Sequence, residues 1–131
     1  SSLGIEGSAA GKGGFVPASV TYSVPTVDVA FFVADRPYVV QGIRGRVEVA
    51  GTGGACTAVV RKVPSGTAIT SGTALHTGSF NLVGTAATAQ ALTLSSTASD
   101  LLLAAGDALA LDYTGTATSA TGAITVSLNP A

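Results

Sequence analysis

The feature that most limits what this chain can become is the close spacing of its breakers. Glycine, proline and turn-forming Asp, Asn and Ser recur so often that no apolar-periodic stretch reaches the length of the crossover helix a parallel sheet needs. Between the breakers lie short runs with apolar residues at every second position, the period of a strand buried on one face. Leu101–Gly115, LLLAAGDALALDYTG, shows the pattern in one place. A short apolar turn stops at Gly106-Asp107, and a strand follows with Leu109, Leu111 and Tyr113 on one face and Ala108, Ala110 and Asp112 on the other.

Val27–Val33 (VDVAFFV) is a β-rich run closed by a turn at Asp35-Arg36-Pro37, where proline presets the backbone dihedral and aspartate caps. Tyr38–Ala50 is the longest strand signal. Ile43, Gly45, Val47 and Val49 share one parity and Arg44, Arg46 and Glu48 the other, a half-buried strand with a charged outer stripe. Gly51–Gly54 leads into Cys56–Val63, and the two strands read as an antiparallel hairpin. Cys56, Ala58 and Val60 form one face of the second strand, Val59, Arg61 and Val63 the other, and apolar content does not decide which faces inward.

Pro64-Ser65-Gly66 ends that strand, and Thr67–Leu75 reads as a weak strand or an irregular crossing. Ser79–Val83 aligns Phe80 with Leu82, Ala91–Ser95 aligns Leu92 with Leu94, and Gly84–Thr88 is a loop between them. Thr97–Ala105 holds a helical turn that Ser99 or Asp100 caps and Gly106 stops. Thr114–Thr121 is a Thr/Gly loop, and Ala123–Leu128 aligns Ile124, Val126 and Leu128. Seven to eight strands with turn signals about every 8–12 residues predict an all-β, jelly-roll-like antiparallel β-sandwich. With no Trp and one Cys, the immunoglobulin arrangement is disfavoured.

The 131 residues suffice for one hydrophobic core and not two. Residues 1–26 are rich in Gly, Ser and Ala, carry Pro17 and Pro25 and keep no period, so they read as an extended N-terminal arm, with residues 27–131 as the sandwich. Val20, Tyr22 and Val24 alternate, which leaves a short edge strand open inside that arm. Charged residues make up only 10% of the chain against an average near 25%, so the surface is built of Thr, Ser, Ala and Gly, suited to close packing against other chains. A net charge of −1 gives no electrostatic reason to bind nucleic acid or an anionic membrane. No run approaches the roughly 18 apolar residues of a spanning helix, and the N-terminus shows neither basic nor apolar leader regions.

Side-chain chemistry points to no reaction. His76 is the only histidine, and its flanks, Leu75 and Thr77-Gly78, supply neither an acid partner nor a nucleophile. One His, one Cys and scattered carboxylates give no metal-ligand spacing, so no metal and no cofactor is expected. Gly11-Lys12-Gly13-Gly14 lacks the order of a phosphate loop and the helix that must follow it. Arg44 and Arg46 make a basic patch with Arg61 and Lys62 if their strands are neighbours, although Glu48 in the same stripe favours a paired face. Asp107 reads as a turn residue, Cys56 as a small core residue, and Thr114, Thr116 and Thr118 as a polar loop.

FFVADRPYVVQGIRGRVEVAG (Phe31–Gly51), VRKVPSGTAITSGTAL (Val60–Leu75) and LLLAAGDALALDYTG (Leu101–Gly115) together resemble the small decoration, or cement, proteins on HK97-type capsids of tailed bacteriophages. The resemblance implies a jelly-roll or related sandwich located on the outer capsid surface of a virion, with the major capsid protein and further copies of itself, as a dimer or trimer, as partners. It implies no enzyme activity, and a terminal arm that reaches over neighbouring subunits. On that reading the interface residues are Phe15, Val16, Val20 and Tyr22 in the arm, with Arg44 and Arg46 on the strand stripe. The alternative, of a different class, is a glycan- or receptor-binding tip domain of a phage fibre or adhesin.

Overall fold

A computed structural model describes residues 16–23 and 27–131. The strands are β1 (Val16–Ser23), β2 (Val29–Val33), β3 (Tyr38–Val49), β4 (Cys56–Val63), β5 (Thr73–Ala74), β6 (Phe80–Asn81), β7 (Thr88–Ala91), β8 (Leu102–Leu103), β9 (Ala108–Gly115) and β10 (Thr121–Pro130). They form two five-stranded antiparallel sheets. The first runs β1-β10-β3-β7 with β8 also on β3, and the second runs β2-β9-β4-β5 with β6 also on β4. Because β7 and β8 share one side of β3, and β5 and β6 one side of β4, the ten strands fill eight positions. Pairing of β1 with β10, β2 with β9 and β3 with β8 is that of one long hairpin rolled up, so the expected jelly-roll-like sandwich is the observed one.

The core sits between the sheets. Ile43, Val47, Ile124, Val126 and Leu128 face it from the first sheet, Cys56, Ala58, Val60, Leu109 and Leu111 from the second, and Phe80, Leu82 and Leu103 close its side. Each fully buried Val, Leu or Ile contributes about 1.5–3 kcal/mol. The ambiguous parity of β4 is thereby resolved: Cys56, Ala58 and Val60 point inward. Gly45 belongs to the inward parity of β3 because a side chain there would take the space of the Phe80 ring; a Cβ would lie 2.7 Å from Phe80 Cε1.

Four expectations are corrected. β3 and β4 are not a hairpin, because they lie in opposite sheets. The chain crosses between the sheets at Gly51, which is buried so closely under Ala117 and Ala120 that a Cβ would come within 2.6 Å of the Ala117 methyl. Val16–Ser23, assigned to the arm, is instead the edge strand of the first sheet, paired with β10 along its length. Its alternation explains this: Ala18 and Tyr22 are buried, and Val16 and Val20 pack against the core. The strand expected at Ala91–Ser95 is displaced to Thr88–Ala91, where the Gln90 amide accepts from Asn81 N–H at 3.1 Å and donates to the Asn81 carbonyl at 2.9 Å, locking β7 to β6. The helical turn is a single 3-10 turn, Ala98–Leu101, without a side-chain cap, because Asp100 instead accepts from Ser95 Oγ at 2.7 Å.

Candidate interaction surface

Strand β9 sets the geometry of the second sheet. β9 lies between β2 and β4, with Leu109, Ala110 and Leu111 fully buried. Its entry turn is built as expected: Gly106 takes φ +93°, and the Asp107 carboxylate accepts from Ala104 N–H at 2.9 Å. On the outer face Asp112 receives Arg61 Nε at 2.7 Å, and Arg61 also donates to the Gly72 carbonyl at 3.0 Å. Lys62 Nζ donates to the Ser99 and Leu102 carbonyls, both at 2.9 Å. Arg61 and Lys62 are thus occupied in the second sheet while Arg44 and Arg46 lie on the first, so the four do not form one basic patch.

The residues expected at an interface occupy three different settings. Phe15 lies outside the described residues. Tyr22 is only 5% exposed and belongs to the core, so its ring is not available to a partner, and Val16 and Val20 lean against the same core. Arg44 and Arg46 stand exposed on the outer face of β3, separated from β1 by β10. Glu48 accepts from Arg46 Nε at 2.7 Å, and that bond holds the Glu48 carboxyl below its ordinary range.

The buried polar groups are structural. Val60 N–H donates to His76 Nε2 at 3.0 Å, and His76 Nδ1 lies 3.1 Å from the Thr77 carbonyl, so the imidazole stands in for a strand partner of β4. At the other end of the core Tyr22, Cys56, Tyr113 and Asp28 crowd together. Burial, and then Tyr22, Cys56 and Asp28, push the Tyr113 hydroxyl up to about 12, and burial raises the Cys56 thiol as well. A buried, protonated thiol is not a nucleophile. Among the described residues no three His, Cys, Asp or Glu side chains converge on a metal-sized space.

What periodicity did not reveal is the β2 flank. Val27, Val29 and Val33 are 76%, 40% and 65% exposed, and no charged residue lies between Val29 and Ala34. The run VDVAFFV reads as a β-rich strand; its position at a sheet edge leaves much of it open. Edges of soluble proteins carry charge for protection, so its absence was the available signal. No aromatic platform of the kind sugars stack on is presented among the described residues, since Tyr22, Tyr38 and Phe80 are buried and Phe31, Phe32 and Tyr113 pack against the core.

No known protein family matches the sequence, and no curated protein does. Among solved structures, a chain from Bacillus endospore appendages, a family of disulfide-linked pili, is 15% identical with a TM-score of 0.36, over 98% of this chain and 97% of that one. A chain from infectious bursal disease virus, Gx strain, is 15% identical with a TM-score of 0.34; the match covers 85% of this chain but only 32% of the viral one. Both are distant likenesses, and neither bears on function.

Proposed function

We propose that the protein is a structural virion component that binds the outside of an icosahedral phage capsid and stabilises it by bridging major capsid protein subunits. It acts by contact alone, without catalysis or cofactor. The observation that carries the reading is the apolar, charge-free flank of β2, because an exposed apolar strip at a sheet edge marks a surface that another chain covers. A surface poor in charge supports it, and the three segments that resemble decoration proteins supply the class of partner. A protein that binds only the assembled shell stabilises that shell by mass action.

Empty shells assembled from the accompanying major capsid protein test the proposal. The protein is expected to co-sediment with mature shells and raise their melting temperature, and Val29→Asp together with Val33→Asp is expected to abolish both effects without unfolding the sandwich. Absence of the wild-type protein from the shell pellet would sink the reading.

A further inference from the structure

β1 ends the first sheet, and which of its backbone groups face outward is readable. Pro17 has no N–H, and a proline inside a sheet sits where its nitrogen points away from the ladder. Alternation then turns the N–H and C=O groups of Ser19, Thr21 and Ser23 to the free side and those of Val16, Ala18, Val20 and Tyr22 toward β10. The far side of the sheet gives the same parity. Leu92 N–H donates to the Ile43 carbonyl at 3.3 Å, so Arg44, one residue on, turns to β10 and meets Thr125; Ile124 then turns to β1 and meets Val20.

The other edges are blunted. β5, β6 and β8 are two residues long and β7 four, and a register shift between Ala30 and Phe32 breaks β2. β1 runs eight residues against β10 without a shift, and neither strand carries a charged residue. Among the described residues, β1 has, of the usual protections of an edge, only the proline near its start.

We propose that β1 pairs with β1 of a second copy of this chain, antiparallel about a two-fold axis at Val20, making one continuous sheet through two molecules. That register sets Ser19 opposite Thr21 of the partner subunit, and Pro17 opposite Ser23 of the partner subunit, for about six N–H···O bonds. A second copy suits this edge because the seam is free of charge on both sides. Self-pairing therefore opposes no like charges, and Arg44 and Arg46 stand on β3, beyond β10. The pairing rests on sheet topology and is independent of shell binding.

Sedimentation equilibrium of the whole chain across a concentration series tests it. A dimer is expected, with the Ser19, Thr21 and Ser23 amides exchanging about tenfold more slowly once the dimer is populated. Ser19→Pro removes a seam N–H but no backbone bond to β10, and Ser19→Ala takes away the same Ser19 Oγ–Thr125 Oγ1 hydrogen bond of 2.9 Å while keeping that N–H. The proline variant is expected to halve the mass while keeping a cooperative melt, and the alanine variant to leave the dimer intact. If the proline variant does not fold, amide exchange on the wild-type chain decides. A monomer at every concentration, a trimer, a dimer that survives in Ser19→Pro, or a dimer whose Ser19 and Thr21 amides stay fast overturns the proposal.

Discussion

His76 spends both ring nitrogens on backbone, and that fixes its charge. Nε2 accepts from Val60 N–H, so a proton there would set two donors face to face in the core. Burial first, and the Arg61 cation after it, hold the ring below the ordinary histidine value, against the opposing pull of the Thr77 carbonyl. The unfolded chain therefore takes up the proton first as the pH falls. The stability this neutral ring contributes is full above about pH 6.5 and is lost as the pH drops through and below that value. Urea midpoints measured from about pH 7.5 to about pH 5, above the carboxylate range, are expected to fall for the wild type and stay level for His76→Gln. His76→Ala leaves the Val60 N–H unpaired and is expected to cost about 1–3 kcal/mol at neutral pH. Arg61 and Asp112 make a similar point on the other side of β4: their side chains are 24% and 13% exposed and 2.7 Å apart. Asp112→Ala is expected to cost about 1–3 kcal/mol in chemical denaturation, and the pair Arg61→Met with Asp112→Leu to recover most of it, because the penalty lies in the stranded cation.

At the scale of elements, parity was legible and pairing was not. Ile43, Gly45 and Val47 against Arg44, Arg46 and Glu48, and Leu109 with Leu111 against Asp112, mark the two faces of β3 and β9 by chemistry alone, because burial imposes the period. Which strand lies beside which depends on contacts between residues far apart in the chain. Gly51 under Ala117 and Ala120 sends β4 to the opposite sheet, and no local signal separates that crossing from a hairpin. The short strands were legible only in part: Thr67–Leu75 and Ser79–Val83 contain β5 and β6, whereas β7 was displaced and β8 missed, and the Gln90 amide holds β7 to β6 more than alternation does. Tyr22 shows the same limit, since an isolated Val-x-Tyr-x-Val pattern does not say whether the neighbour it needs lies in the same chain. Glycines inside strands give a direct test of these close approaches. A Cβ at Gly45 meets the ring of Phe80, a buried side chain that must repack; one at Gly122 meets the Arg46 carbonyl, backbone of the adjacent strand that cannot move without breaking the ladder. Gly45→Ala is therefore expected to lower stability by about 1–3 kcal/mol and Gly122→Ala by more, both read from thermal or urea melts.

At the scale of the whole molecule, the placement of β1 decides which truncations are informative. Cutting away residues 1–26 removes one of the two partners of β10 and takes Ala18 and Tyr22 out of the core, so its consequences on a capsid would report unfolding and not the loss of an arm. Cutting away residues 1–15 leaves every described strand in place. The shorter truncation is expected to melt cooperatively within a few degrees of the wild type, and the longer one to lose cooperative melting, as circular dichroism would show. With that control, occupancy on shells tests residues 1–15 and the β2 flank separately. Reduced occupancy for the shorter truncation, with the Val29→Asp and Val33→Asp variant also defective, assigns binding to both. Wild-type occupancy and wild-type shell stability for the truncation, with the Val29→Asp and Val33→Asp variant defective, assign it to the β2 flank, because residues 1–15 are then dispensable and the valine strip is not.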